Sequence, residues 1–468
     1  MPSDHEWLVY ERWAEEKGSD LIHFDVLGTD IVVLRSLKAA SELLDKRSSI
    51  YSDRPFTPAL SVLLGFDWVL ASFPYGEKFR AMRKAFHTSF QPSVVKDYYP
   101  LHRRAAHQLL KNILSAPDET PQHLRYMAGG VILDIAYGIK TKPRDDPYVE
   151  AAERALSAVT TVVSPSARLF DMFPMLLYMP SWVPGAGYKK TAKFLQNYSR
   201  DILENPFQFT KEALANGTAS PSIATTMLSQ LGKNSSQEDE LLAKQLTANV
   251  YIAGADTTVC AIQNFLLAMM LYPDTQRRAQ TELDSVIGCD RLPDLSNIDA
   301  LPYVNALVLE VLRRVAFRVA WGVVAPLGFP HRLMVNDSYE GYFLPRGSLF
   351  IGNIWAMLHD KSVYGVDAQD FNPQRFLDHD LPEPDVVWGF GRRVCPGRHM
   401  ARDSVWLAIA SILATFNINK ALDEKGEEIE VVDDHISGIV AYPVPFKSEI
   451  TPRSADSVML IQSTEIYD

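Results

Sequence analysis

The residue of this 468-residue chain best suited to chemistry is Cys395, one of three cysteines. It lies in the stretch from Trp388 to Ala401, which reads Trp-Gly-Phe-Gly-Arg-Arg-Val-Cys-Pro-Gly-Arg-His-Met-Ala and leads into an apolar helical run ending near Phe416. A thiol just ahead of a helix meets unpaired backbone N–H groups and the positive end of the helix dipole, so its thiolate is stabilised. The stretch therefore predicts a single thiolate ligand for a metal with its own organic frame, of which haem iron held by cysteine is the known example.

The neighbours of Cys395 favour a ligand over an inert core thiol. Gly391 and Gly397 allow strained dihedrals or the close approach of a flat group. Arg393 adds a fixed positive charge that can meet a carboxylate of that group. The other two cysteines have no such surroundings, and we expect them to be buried and unreactive.

A second candidate lies in the longest helical pattern, from Leu241 to Leu271, which Pro273 ends. Its middle reads Ala-Gly-Ala-Asp-Thr-Thr, and the helical period puts Gly254 and Thr257 on one face, together with Val250, Ala253 and Ala261. Small residues on that face would leave room for a flat group. Asp256 and Thr257 could deliver protons to oxygen held there, although a threonine that hydrogen-bonds its own helix backbone is the structural alternative.

Four motifs in this sequence resemble those of the cytochrome P-450 family. Gly391, Arg393, Cys395 and Gly397 match its haem-binding signature Phe-x-x-Gly-x-Arg-x-Cys-x-Gly, with Trp388 in place of Phe. The middle of the long helix is similar to the family's Ala/Gly-Gly-x-Asp/Glu-Thr pattern. The Glu-x-x-Arg and Pro-x-Arg-Phe motifs are matched by the residues Glu310, Arg313 and Arg375. The resemblance covers nearly the whole chain and looks closest to fungal microsomal members.

The resemblance implies a role for each of these residues. Asp256 and Thr257 would be catalytic, and the buried ion network of Glu310, Arg313 and Arg375 would be structural. Arg83 follows Phe79, which stands where the family has Trp, and would reach a haem propionate as His331 would. The residues expected to bind the haem, with the cysteine as axial ligand of its iron, are Cys395, Arg393, Arg83, His331, Gly391, Gly397 and Gly254.

The implied fold is mainly α with a minor β region, the cytochrome P-450 fold, in a single large domain. A strand hairpin is expected between residues 21 and 34, a polar loop between 216 and 240, and a disordered tail over residues 454–468. The candidate pocket lining is apolar and includes residues 60–73, 169–183, 323–324 and 439–440.

The implied reaction inserts one oxygen atom from O2 into a hydrophobic small molecule, in secondary metabolism or xenobiotic oxidation. Electrons would come from NADPH through a separate NADPH–cytochrome P-450 reductase, and the protein is expected to be a monomer. One alternative is a peroxide-using or isomerising haem-thiolate enzyme. Another is an inactive product, because the sequence departs from the family after Arg313 by an insertion near residues 314–322.

Charge and hydropathy bear on location and partners. The net charge of −11 argues against nucleic-acid binding. No apolar run of about 18 residues predicts a membrane span, and the family's N-terminal anchor is expected to be absent, which would leave the chain soluble as given. The resemblance implies the cytosolic face of the endoplasmic reticulum membrane. The apolar stretch from Leu169 to Val183 could lie on a membrane surface or in the core.

Overall fold

Helices dominate the computed structural model, which describes residues 5–142, 144–162, 165–180, 182, 188–231, 236–313, 326–378, 381–436 and 440–464. The insertion near residues 314–322 and the predicted lining positions 323, 324 and 439 lie outside these ranges. In chain order the helices are α1 (Glu6–Lys17), α2 (Leu37–Ala40), α3 (Ser48–Tyr51), α4 (Glu77–Phe90), α5 (Pro92–Val95), α6 (Tyr99–Ser115), α7 (Thr120–Tyr137), α8 (Pro147–Val162), α9 (Pro165–Met172), α10 (Tyr188–Ala215), α11 (Ile223–Gln230), α12 (Gln237–Leu271), α13 (Pro273–Val286), α14 (Pro302–Arg313), α15 (Ile354–Leu358), α16 (Lys361–Tyr364), α17 (Arg375–Asp378), α18 (Arg398–Thr415) and α19 (Ala455–Ser463).

The strands form one small sheet and three two-stranded ladders. They are β1 (Leu21–Val26), β2 (Thr29–Leu34), β3 (His331–Arg332), β4 (Asp337–Tyr339), β5 (Tyr342–Leu344), β6 (Leu349–Gly352), β7 (Phe416–Lys420), β8 (His435–Ile436), β9 (Tyr442–Pro443) and β10 (Ser448–Pro452). The sheet order is β1-β2-β6-β3, with β1 and β2 antiparallel and β2 parallel to β6. The hairpin predicted between residues 21 and 34 is present, with Val26 paired to Thr29.

Helix α12 is the centre about which the other helices pack. Ser236 caps it by accepting from the backbone N–H of Asp239, whose carboxylate accepts in return from the N–H of Ser236. It packs against α7, α10 and α18, and most of its residues from Ala243 onward are buried. The predicted mainly α domain with a minor β region is thus observed. Because α12 runs through its centre, a reactive group beside this helix would be shielded from water.

Among the described helices, α12 is the one long and apolar enough to cross a membrane by length and composition. Its most apolar 18-residue window is 78% buried inside the protein. A fully buried core helix has the same composition.

Two segments that were predicted to be irregular contain helices among their described residues. Within the segment expected to be a loop, α11 is started by a capping box in which Ser222 and Thr225 satisfy each other's backbone N–H. The tail expected to be disordered contains α19, which Ser454 caps and whose Ile461 is fully buried in the main core. Burial of this apolar residue helps to stabilise a short helix that would be marginal alone.

Candidate active site

Cys395 lies in the loop between a 3₁₀ turn at Gly391–Arg393 and the start of α18. Its backbone N–H donates to the carbonyl of Trp388 at 2.7 Å. Burial raises the pKa of the thiol, while the Gly397 N–H and the cations Arg83 and Arg398 oppose that rise. A coordinated metal ion would remove the proton outright, so the loop supplies the surroundings that a ligating thiolate requires.

Gly391 anchors this loop to the N-terminal part of the chain. Its φ is +51°, and a Cβ at this position would lie 2.3 Å from the carbonyl oxygen of Leu44, so no other residue fits. Its N–H donates to Asp45 Oδ1 at 2.5 Å. Gly397 differs, because a Cβ there would meet no atom within 4 Å. The loop is therefore fixed at Gly391 and has free space beside the cysteine at Gly397, as the approach of a flat group needs.

Arg83 reaches the same loop from α4. Its Nη1 donates to the carbonyl of Val394, next to the cysteine, at 2.7 Å. Burial lowers the pKa of Arg83, and the nearby Cys395 opposes that lowering. Arg83 is therefore held against the cysteine loop, and its predicted contact with a propionate stays a prediction.

Arg393 is held beneath the loop by backbone carbonyls. Its Nε and Nη2 donate to Ser52 and Phe73, each at 2.7 Å. Its guanidinium stacks 3.7 Å from the centre of the Phe79 ring. Phe79 cannot donate a hydrogen bond, but its ring orients Arg393 by a cation–π contact.

Arg54 is a buried cation that the sequence analysis missed. Its Nη1 donates to the carbonyls of Phe329 and Pro330 at 2.8 and 2.7 Å. Burial lowers its pKa to about 9, and repulsion from Arg393 adds to that lowering. In the sequence this arginine stands between an aspartate and a proline, a context with no sign of burial.

His331 lies beside these arginines as a buried polar side chain that is neutral near pH 7. Its Nδ1 lies 2.8 Å from the carbonyl of Tyr51, and the side chain is buried. Burial holds the pKa of His331 well below its ordinary value, and repulsion from Arg54 lowers it further. Burial likewise lowers the pKa of Arg393 to about 10. The carboxylate that opposes these shifts for both arginines is Asp53.

This cation cluster consists of Arg54, Arg393 and Arg83, with the neutral His331 beside them, and its positive charge exceeds the single negative charge of Asp53. Arg54 is buried, and Arg393 and Arg83 are half-buried. Charges removed from water are costly when no opposite charge balances them, so the cluster suits a bound dianion. A haem carries two propionates, and the cluster adjoins the cysteine loop through Arg83 and Arg393. The residues present therefore fit a haem with a thiolate ligand. In the described residues no cluster of three or more His, Cys, Asp or Glu could hold a bare metal ion.

The three predicted structural residues meet in a buried network. Glu310 accepts from Arg313 Nε and Nη2 at 2.7 and 2.8 Å, from Arg375 Nε at 3.3 Å and from the Asn372 N–H at 2.8 Å. The side chains of Glu310 and Arg313 are fully buried. The sequence spacing thus brought together the correct partners.

Arg313 extends this network towards the cysteine loop. Its Nη1 donates to the carbonyl of Leu358 at 2.6 Å and of Ala368 at 3.0 Å. Leu358 ends α15, whose residues share a buried cluster with Phe390, the residue before Gly391. The ion network therefore braces the segment that supports the loop.

Thr257 and Asp256 lie at the middle of α12 but point in different directions. Thr257 is half-buried, and its hydroxyl donates to the carbonyl of Ala253 at 3.0 Å, which is the predicted structural alternative. Ala253 is exposed although α12 is otherwise buried, so this turn borders open space. Asp256 faces elsewhere: its carboxylate accepts from the hydroxyl of Tyr442 and lies 3.8 Å from Arg125 Nη1.

Gly254 was predicted to border the haem, but it faces helix α7 instead. A Cβ on Gly254 would lie 2.8 Å from Ile132 Cδ1, so its missing side chain lets α7 pack closely on α12. Val250 and Ala261, predicted for the same face, are also buried. Because α12 is buried on nearly all sides, apolar periodicity could not tell which face borders the open space.

Tyr442 is a second residue that the sequence analysis missed. A signal was present in α12, where the polar residues Asp256, Cys260 and Asn264 recur at i, i+4 and i+8 on an apolar helix. Such a stripe indicates that a segment with polar groups packs along it. In the structure that segment is the β8–β9 hairpin, which carries Tyr442.

Comparison with known proteins gives one consistent result. Residues 4–447 match the family described as cytochrome P-450. Cytochrome P-450 monooxygenase 208 of Postia placenta is 40% identical over 98% of this chain and 89% of its own. Cytochrome P-450 monooxygenase ple1 of Rhodocybe pseudopiperita is 36% identical over 99% of this chain and 88% of its own. A structure of a zebrafish cytochrome P-450 with abiraterone, 21% identical, superposes with a TM-score of 0.74 over 96% of this chain and 100% of that chain.

Proposed function

The chain belongs to the cytochrome P-450 family of haem-thiolate monooxygenases, and on that premise we propose that Cys395 is the axial ligand of its haem iron. The observation that carries this assignment is the cation cluster beside the Cys395 loop. A thiol and an excess of positive charge meet there, as a thiolate-bound iron ring with two carboxylates requires.

Each residue of the cluster has a distinct task in this proposal. Arg54 and Arg393 neutralise the propionates, His331 lies beside them as a neutral polar side chain, and Arg83 holds the backbone next to Cys395. Gly391 keeps the loop in place, and Gly397 leaves space beside the thiolate. Because carbonyl oxygens already position these cations, the site needs little rearrangement when the ring binds.

The bound haem would supply the activation of O2 and the insertion of one oxygen atom into a hydrophobic small molecule. The chain's own contribution is the control of protons. Thr257 can turn its hydroxyl from the Ala253 carbonyl towards the open space beside it. Asp256, whose carboxylate faces Tyr442 and Arg125 rather than Thr257, can take up protons from solvent and pass them on through water. Groups positioned for such transfers are typically worth about 10²–10⁴ in rate.

Electrons would come from NADPH through a separate NADPH–cytochrome P-450 reductase. The surface next to the Cys395 loop offers a docking area for an acidic partner, because Arg80, Lys84 and Arg392 are exposed there. Arg392 and Arg80 both stack on the ring of Tyr75, 5.4 and 5.8 Å from its centre. This stacking joins the cations of α4 and of the loop into one basic surface.

A second surface supports peripheral contact with the cytosolic face of the endoplasmic reticulum membrane. Met175, Tyr178 and Trp182 are 75%, 83% and 82% exposed, in the apolar stretch whose placement the sequence left open. Exposed apolar patches of this kind mark interaction surfaces. Replacement of Tyr178 and Trp182 by Ser should reduce flotation with phospholipid vesicles, whereas Phe343→Ser, at an equally apolar exposed position on β5, should not. Equal flotation of all variants would contradict membrane contact.

The assignment of Cys395 is tested by the spectrum of the reduced, carbon-monoxide-bound protein. We expect the wild-type spectrum to be that of thiolate-bound haem and Cys395→Ala to lose it. Cys289→Ala is the matched control, because Cys289 lies far from the loop in sequence. The prediction that Cys289 is buried is wrong, since it is an exposed free cysteine, whereas Cys260 is buried as predicted. A histidine-type spectrum, or an unchanged spectrum in Cys395→Ala, would refute the assignment.

The same preparation separates the reaction from its alternative. Turnover of a ligand found by spectral screening should require NADPH and the reductase. Turnover with peroxide but not with NADPH and reductase would favour a peroxide-using enzyme. Protein that takes up no haem at all would instead support the inactive product expected from the insertion after Arg313.

A further inference from the structure

The side chain of Tyr442 makes a direct contact with Asp256 that the reaction outlined above does not use. The Tyr442 hydroxyl donates to the carboxylate of Asp256 and lies 3.0 Å from its backbone carbonyl. Tyr442 begins β9, in the hairpin near the C-terminus, 186 residues from Asp256. Two distant parts of the chain therefore meet at the acid proposed to carry protons.

The hairpin is bound to the same face of α12 at two further points. The Cys260 thiol donates to the carbonyl of Ala441 at 3.2 Å, and His435 Nε2 lies 2.6 Å from Asn264 Oδ1. Together with Tyr442 these contacts follow one stripe of α12 over two turns. The stripe fixes the position of the Tyr442 hydroxyl, so its contact with Asp256 is not a loose surface encounter.

Arg125 of α7 completes the surroundings of the carboxylate. Its Nη1 is 3.8 Å from Asp256 Oδ1, its guanidinium lies 5.7 Å from the centre of the Tyr442 ring, and its Nε is 3.6 Å from Glu153 Oε1 of α8. The Arg125 side chain is 29% exposed and that of Asp256 only 12%. Arg125 therefore lies between the buried acid and the solvent.

We propose that Tyr442, with Arg125, is a positioning residue that holds the Asp256 carboxylate at a proton entry between α7, α12 and the β8–β9 hairpin. This inference rests on the proposed monooxygenase function. In one cycle a proton from solvent passes to the carboxylate, which then releases it to water and is ionised again. No oxidant or reductant takes part, since only O–H bonds form and break. The hydroxyl of Tyr442 keeps its own proton and returns its hydrogen bond to the ionised acid.

The charges around Asp256 determine when it takes up a proton. Burial raises the pKa of Asp256, while the Tyr442 hydroxyl and then Arg125 oppose the rise. Cys260 of α12 and Glu153 of α8 are the other titratable groups facing this site. An acid transfers protons best when its pKa is near the working pH, and the Tyr442 hydrogen bond is the contact most able to adjust it.

Tyr442→Phe removes the hydroxyl and leaves the ring in place. A hydrogen bond to a charged group corresponds to about one to two pH units, so the protonation midpoint of Asp256 should rise by that amount. Infrared titration of the carboxyl band, assigned by its loss in Asp256→Asn, measures this midpoint without any substrate. Tyr98→Phe is the matched control, because it removes a tyrosine hydroxyl that donates to the Ser89 carbonyl at another site.

The second measurement is the pH dependence of NADPH consumption by the haem-loaded enzyme with reductase and O2. Its midpoint should move upward with the infrared midpoint in Tyr442→Phe and stay fixed in Tyr98→Phe. If Tyr442→Phe lowers the melting temperature but moves neither midpoint, the residue is merely structural and the inference is overturned. An Asp256→Asn enzyme with the wild-type pH profile overturns it as well. A wild-type protein without a thiolate spectrum refutes the proposed function instead, and the infrared midpoint still tests the contact.

Discussion

Arg313→Ala should cost the protein its haem as well as part of its stability. The substitution removes a fully buried guanidinium from Glu310 and from the carbonyls of Leu358 and Ala368. Arg375 then remains as the arginine bound to Glu310, through one contact at 3.3 Å. The carbonyls at Leu358 and Ala368 lose a charged donor in a place that water does not reach.

The magnitude follows from what is left unpaired. Breaking a buried ion pair by removing one partner costs about 3–5 kcal/mol, and each orphaned carbonyl adds to that. Domains are stable by only about 5–15 kcal/mol, so the loss is a large part of the total. Since α15 packs in the cluster that contains Phe390, loosening Leu358 also loosens the Cys395 loop.

The assay combines the haem content of the purified protein with guanidinium unfolding followed by circular dichroism. Arg144→Ala is the matched control, because it removes an arginine that is 61% exposed and pairs with the exposed Glu119 at 2.9 Å. Such exposed pairs are worth at most about 1 kcal/mol, so this variant should keep its haem. If Arg313→Ala retains haem and unfolds at the same midpoint as Arg144→Ala, the network does not support the loop.

Two further predictions follow from the backbone and from buried histidine. Gly391→Ala forces φ +51° on a residue whose Cβ would lie 2.3 Å from the Leu44 oxygen. The free energy of unfolding should therefore fall by about 2–5 kcal/mol, whereas Gly397→Ala should unfold like the wild type. Equal unfolding midpoints for the two variants would contradict the clash. Burial lowers the pKa of His102 from 6.5, its value in the unfolded chain, to about 4 in the folded protein. The neutral side chain therefore contributes fully to stability above pH 6.5, and this contribution is lost as the pH falls from 6.5 towards 4. From about pH 7.5 to about pH 5 the free energy of unfolding should drop about 2 kcal/mol less in His102→Phe than in the wild type, and an identical drop would show that His102 accepts a proton when folded.

The features that the sequence predicted well are those carried by local spacing. The cytochrome P-450 family, the mainly α fold and the monooxygenase class are confirmed, because a cysteine signature and a long central helix are visible without tertiary information. The grouping of Glu310, Arg313 and Arg375 came from the resemblance of their two motifs to those of the family, and the three side chains do meet in the structure.

The features that the sequence alone could not predict depend on contacts between distant segments. Arg54 and Tyr442 have unremarkable neighbours in the sequence, and their roles arise only when residues near 330 or 256 are brought to them. Gly254 was predicted to bind the haem because apolar periodicity alone could not show which side of the mostly buried helix α12 borders open space. The helix α19 was missed because Ile461 finds its burial against residues far from the tail.

The Cys395 loop is completed by residues from the opposite end of the polypeptide. Asp45 binds Gly391, Arg83 binds Val394, and Arg393 binds Ser52, across separations of 346, 311 and 341 residues. On the ribosome, Asp45, Ser52 and Arg83 are synthesised 311 to 346 residues before their partners in the loop. With Cys395 as the proposed ligand, haem can be held only after nearly the whole of this sequence has been translated, and a chain that stops before the loop would lack that ligand.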